Sequence, residues 1–108
     1  MKGSRIMGLD MYLTRRNKAK DLEVEIYYWR KFWDLYEYIW KEFDPKETNI
    51  NGQEVHVNKE LFEKIFKFCC CHPDYFDTFN SLPKLAEELH YFDERTEEGW
   101  TYYFMGDY

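Results

Sequence analysis

No stretch of this chain approaches the ~20 consecutive apolar residues that a membrane-spanning helix needs. The N-terminus, MKGSRIMGLDMYL, has a basic start but only a short, interrupted apolar segment, too poor for a secretory signal. Both absences point to a soluble, cytoplasmic protein. Proline and glycine are scarce, at three and five residues, which argues against a disordered or low-complexity chain. Cysteine is equally scarce: Cys69, Cys70 and Cys71 are consecutive, and there is no C-x-x-C pair. Adjacent cysteines on a helix are poor disulfide partners, in keeping with a reducing compartment. Also missing are a nucleophile elbow, a phosphate-binding loop and an H-E-x-x-H pattern. His56, His72 and His90 are scattered, and the carboxylates follow no spacing rule. The sequence therefore reads as a non-enzyme without catalytic residues or cofactor.

Aromatic rings are what the chain has in excess, at 21% of 108 residues. That length suits one domain, 1–108, with residues 1–6 as a flexible lead-in. The densest stretch is Tyr27 to Phe43, YYWRKFWDLYEYIWKEF. Trp29, Phe32, Trp33, Tyr36, Ile39, Trp40 and Phe43 recur at steps of three and four, which predicts one helix with these rings on its buried face. Trp33 is then a large buried aromatic.

Before that helix, Leu9, Met11 and Leu13 alternate with polar neighbours and predict a strand over Gly8 to Arg15. Leu22, Val24 and Ile26 alternate again, a second short strand. Asp44-Pro45 stops the helix, Asn51-Gly52 signals a turn, and Glu54 to Val57 is at most a short strand. Asn58 is a suitable N-cap for a second helix that Pro73 closes. Residues 74 to 81 suggest a helical turn. Leu82 to Leu89 predicts a third helix, and His90–Asp93 with Trp100–Met105 suggests a hairpin around Gly99. WTYYFM lacks clean alternation, as a strand covered on both faces would. The fold class is α+β: about three helices packed on a small, mainly antiparallel sheet.

Cys69 and His72 stand three residues apart, and His56 or His90 would complete a metal site. Consecutive helical residues point about 100° apart, so three adjacent thiols cannot converge on one ion. Reduced cysteines on a helix face are the favoured reading, and no metal is expected. Lys2, Arg5, Arg15, Arg16, Lys18 and Lys20, with Tyr12 nearby, form the best basic cluster. At a net charge of −6 the whole-chain field opposes nucleic acid. A solvated loop beside a charge-guarded edge strand is the simpler reading.

Charge is uneven. Residues 74–108 hold nine acids against Lys84 and Arg95, a balance of −7, whereas residues 1–73 balance at +1. Tyr27, Tyr28, Tyr38, Tyr102, Tyr103 and Tyr108 exceed what one small core can hold, and tyrosine anchors interfaces well. A protein-binding surface of Asp93, Glu94, Glu97, Glu98, Tyr102 and Tyr103 is the expected site. A merely solvated acidic surface and an acidic mimic of nucleic acid are the competing readings.

GLDMYL at Gly8 to Leu13, followed by Arg15-Arg16, resembles the opening of a family of small uncharacterised phage and prophage proteins. EIYYWRK at Glu25 to Lys31 and the G-x-EV-x-V segment at Gly52 to Val57 resemble later motifs of that family. The resemblance covers about the first two-thirds of the chain; the C-terminal WTYYFMGDY matches only loosely. It carries over no catalytic residue. What it implies is a bacterial host cell and a partner there, such as a host or defence protein. By analogy with anti-CRISPR and other anti-defence inhibitors, the target would be a nuclease, bound stoichiometrically. A small metal protein or enzyme is the remaining alternative.

Overall fold

The computed structural model describes residues 9–43, 52, 54–72 and 82–107. Along the chain run β1 (Asp10–Asn17), β2 (Leu22–Arg30), α1 (Trp33–Phe43), β3 (Glu54–Val57), α2 (Lys59–Cys70), α3 (Leu82–His90), α4 (Phe92–Glu97) and β4 (Trp100–Asp107). The strands form one sheet in the order β2-β1-β4-β3, and every neighbouring pair is antiparallel. The fold is α+β, as the patterning predicts, with four helices among the described residues.

Alternation in β1 decides which face is buried. Leu9, Met11 and Leu13 are all fully buried, and their register partners on that face are Trp29 and Tyr27 of β2 and Gly106 and Phe104 of β4. Leu35, Tyr36 and Ile39 of α1, Phe62, Ile65 and Cys69 of α2, Leu85 of α3 and Phe92 of α4 join the same cluster. The helices thus cover one face. A Cβ on Gly106 would lie 2.7 Å from two atoms of the Tyr36 ring, so glycine there lets α1 rest directly on the sheet.

The long helix expected over Tyr27 to Phe43 is shorter. Tyr27 to Arg30 belong to β2, Lys31 turns the chain at φ 61°, and the Lys31 N–H donates to Leu9 O at 2.8 Å. Trp29 sits opposite Met11 in the ladder. Its spacing from Phe32 and Trp33 mimics a helical repeat, but pairing with Met11, 18 residues upstream, wins. On α1 itself the buried positions are Leu35, Tyr36 and Ile39, with Trp33 and Trp40 only half-buried.

A β-bulge between Leu13/Thr14 and their partners leaves Ile26 as the extra residue in β2. It rephases the strand: Leu22 and Val24 share a face with Asn17 and Arg15, and beyond the bulge Tyr27 and Trp29 take up that face. Leu22 and Val24 run past the helical cover and stay 51% and 36% exposed.

Two further expectations change. The first arm of the C-terminal hairpin is instead helical, in α3 and α4, and β4 pairs with β1 and β3. β4 also alternates, with Trp100, Tyr102, Phe104 and Gly106 buried and Thr101, Tyr103 and Met105 half-buried. Its apolar run reflects an outer face that carries Tyr103 and Met105. Asn58 caps α2 as expected, accepting from Leu61 N–H at 2.8 Å. Buried Asn17 ties two turns together: its Nδ2 donates to Glu98 O at 3.1 Å, and its Oδ1 accepts from Lys20 N–H at 3.2 Å. Gly99, at φ 100°, makes the adjoining turn. The expected lead-in at 1–6, the Asp44-Pro45 stop, the closing Pro73, the helical turn at 74–81 and Tyr108 lie outside the described residues.

Candidate protein-binding surface

The sheet face turned away from the helices is built from the alternate residues of all four strands. Register aligns Tyr12 with Tyr28 on one side and Met105 on the other, and aligns Tyr103 with Thr14 and His56. Tyr12, Tyr28, Tyr103 and Met105 are half-buried, and His56 is exposed. The Tyr12 and Tyr28 rings lie 5.3 Å apart at a 40° tilt, and His56 meets Tyr103 edge-on at 6.0 Å. The result is an aromatic surface that water reaches.

Charge frames these rings. Asp10, Glu23, Glu25, Glu54 and Asp107 occupy strand positions of this face, with Arg16 and Arg30: five carboxylates against two guanidiniums, a balance of −3. Arg16 lies 4.7 Å over the Tyr103 ring. Its Nη1 donates to Glu54 Oε1 at 3.0 Å, its Nη2 pairs with Glu54 Oε2, and its Nε donates to Glu23 Oε1 at 3.2 Å. One guanidinium therefore links β2, β1, β4 and β3. Hydrogen bonding to Arg16 holds the Glu54 carboxyl below its ordinary range and raises Arg16. At the other end, the Tyr28 hydroxyl donates to Asp10 Oδ1 at 2.5 Å. Burial, then the charges of Asp10, Glu25 and Asp107, raises Tyr12.

The Asp10 hydrogen bond, with burial second, pushes Tyr28 up to about 12 from the ordinary 10.0. Because the folded value is the higher one, this contact stabilises the fold below about pH 10 and the contribution is lost as pH rises through about 12. Ultraviolet titration of tyrosinate in the wild type, Tyr28→Phe and Asp10→Ala checks it. The high-pH phase should lose one tyrosine's amplitude in the first variant, and that share should move down in the second.

The expected site residues separate. Asp93, Glu94 and Glu97 lie on α4 and Glu98 caps its C-terminus, all exposed, with Asp93 paired to Lys59 Nζ at 2.8 Å. Tyr103 is on the opposite side of the sheet from this helix. Tyr102 is corrected: at 1% exposure it is core, and its hydroxyl donates to Glu88 Oε1 at 2.9 Å. Alternation in β4 puts one member of the Tyr102-Tyr103 pair inside and the other outside. Sequence reasoning missed Met105 and His56 as surface residues and placed Tyr28 on a helix.

The basic cluster divides in the same way. Arg15 turns to the helical side and donates to Glu88 Oε2 at 2.7 Å, Arg16 lies on the outer face, and Lys18 and Lys20 are exposed in the hairpin turn. Lys2 and Arg5 lie outside the described residues. Cys69 is buried in the core, where desolvation pushes its thiol up to about 12 against the opposing effect of the Trp29 indole. His72 stacks on Phe68 at 4.4 Å, its Nδ1 2.8 Å from Phe68 O. Among the described residues no three His, Cys, Asp or Glu side chains gather where they would hold a metal ion. No helix among them is long and apolar enough to cross a membrane. Comparison with protein-family models, curated proteins and solved structures gives no match.

Proposed function

We propose that this chain is a binding protein that engages a basic protein surface through the open face of its sheet. One observation carries this reading: Tyr12, Tyr28 and Tyr103 stand half-exposed on one face within a frame of carboxylates. Tyrosines offer large contact area with a polar tip and little side-chain entropy to lose. Their ring faces attract arginine and lysine, and the carboxylates speed and orient the approach of a cationic partner. The same charges repel phosphate, which disfavours direct binding of nucleic acid. The resemblance to phage proteins supplies the setting: stoichiometric binding to a bacterial host protein, with a nuclease of antiphage defence as the reading that fits a basic target. The exposed carboxylates of α4 support a second version, an acidic mimic that occupies a nucleic-acid cleft.

Two variants separate the versions in pull-downs from a bacterial host and in phage challenge. Tyr12, Tyr28 and Tyr103 are replaced by serine in one; Asp93, Glu94, Glu97 and Glu98 by lysine in the other. The tyrosine variant should lose its partner by about a hundredfold in affinity, an interface losing several aromatic anchors, while the α4 variant keeps it. Loss confined to the α4 variant would favour the mimic. Recovery of no host protein by the wild type would overturn both.

A further inference from the structure

Strand β2 is an edge of the sheet, and its first half is open to water. Leu22, Glu23, Val24 and Glu25 are all exposed, and no described strand pairs with their outer side. A strand bonded on one side only turns alternate N–H and C=O groups outward, a template for another strand. Chains usually guard such an edge with lysine, proline or a very short strand. Here nine residues carry no proline, and two apolar side chains stand exposed on the helical side, Leu22 at 51% and Val24 at 36%. On the outer side are Glu23 and Glu25, opposite Arg16 and Thr14. Arg16 pairs with Glu23 but also holds Glu54, so these two carboxylates share one cation while Glu25 stands opposite the uncharged Thr14.

We infer that the open half of β2 accepts an extended segment of the partner as a fifth strand, and that this segment alternates basic and apolar side chains. The inference rests on the binding-protein reading and specifies how the partner attaches. Alternation follows from the pleat: side chains over Glu23 and Glu25 share one face of the added strand, and those beside Leu22 and Val24 share the other. Charge complementarity selects the partner over a second copy. Antiparallel pairing of two β2 strands about a two-fold at Glu23, Val24 or Glu25 sets glutamate directly opposite glutamate every time, and opposed like charges destabilise. The Ile26 bulge ends the regular edge at the C-terminal side.

The test uses an alternating lysine–valine peptide that spans Leu22 to Glu25, with two N-methylated forms, one blocked at the lysines and the other at the valines. Amide shifts, hydrogen exchange and affinity are read on the whole chain. The parent peptide should protect amides within Leu22–Glu25. One N-methylated form should bind at least about tenfold more weakly than the other, because only one set of peptide N–H groups faces the edge. Equal binding by both forms, with shifts on Tyr12, Tyr28 and Tyr103 instead, would overturn strand addition while leaving the open-face reading standing. Failure of every peptide to bind at ~1 mM, where even weak contacts register, would overturn it too. The open-face reading is judged separately, by its own tyrosine variant. Protection of the same amides on raising protein concentration without peptide would make a second copy the occupant and refute the charge argument.

Discussion

Replacing Glu88 by alanine is expected to lower the unfolding free energy by about 3–5 kcal/mol, the usual cost of stranding a buried charge. Glu88 on α3 accepts hydrogen bonds from two groups elsewhere in the fold and forms an ion pair with a third. Arg15 of β1 reaches it at 2.7 Å, with side-chain exposures of 12% and 13%. Tyr102 of β4 donates to it at 2.9 Å, and Arg95 Nε of α4 lies 3.3 Å away. Arg15 also lies 4.6 Å over the Trp100 ring. Without Glu88, a half-buried Arg15 faces Arg95 with no carboxylate between them, and the Tyr102 hydroxyl loses its acceptor. Urea denaturation measures the loss. Adding Arg15→Met to Glu88→Ala should restore most of it, because exchanging a buried pair for apolar groups is close to neutral. A loss under about 1 kcal/mol in the single variant would mark the cluster as an ordinary surface pair.

Trp29→Ala should be comparably severe, at about 3–5 kcal/mol for a large buried ring whose space cannot close. Trp29 is 1% exposed, 4.8 Å from Tyr27 and 6.4 Å from Phe104 by ring centroids, and stands opposite Met11 in the sheet. Trp33, three residues beyond β2, is half-buried at the start of α1. Its truncation should cost less, about 1–2 kcal/mol, since part of its area stays in water. Parallel denaturation of the two variants decides the matter. A larger loss from Trp33 would mean that Trp29 is not the ring the core closes on.

The two positions also separate what was legible in the sequence from what was not. Local patterning determined the class of fold: alternation at Leu9, Met11 and Leu13, the Asn58 cap, and the repeat through Phe32, Tyr36 and Ile39 each act within a few residues. Those signals come from side chains and backbone that are neighbours in the chain, so the sequence carries them whole. The open face was legible only as a surplus of tyrosines. Which of Tyr27, Tyr28, Tyr102 and Tyr103 face water depends on strand phase, and a shift of one residue reverses every side chain. The Ile26 bulge and the pairing of Met11 with both Trp29 and Gly106 set that phase, through contacts between segments remote in sequence. Tertiary structure likewise decided that Arg15 meets Glu88 while Arg16 spans the outer face. Adjacent arginines look alike in the sequence, but the pleat sends them to opposite sides of the sheet, one toward the helices and the other toward water.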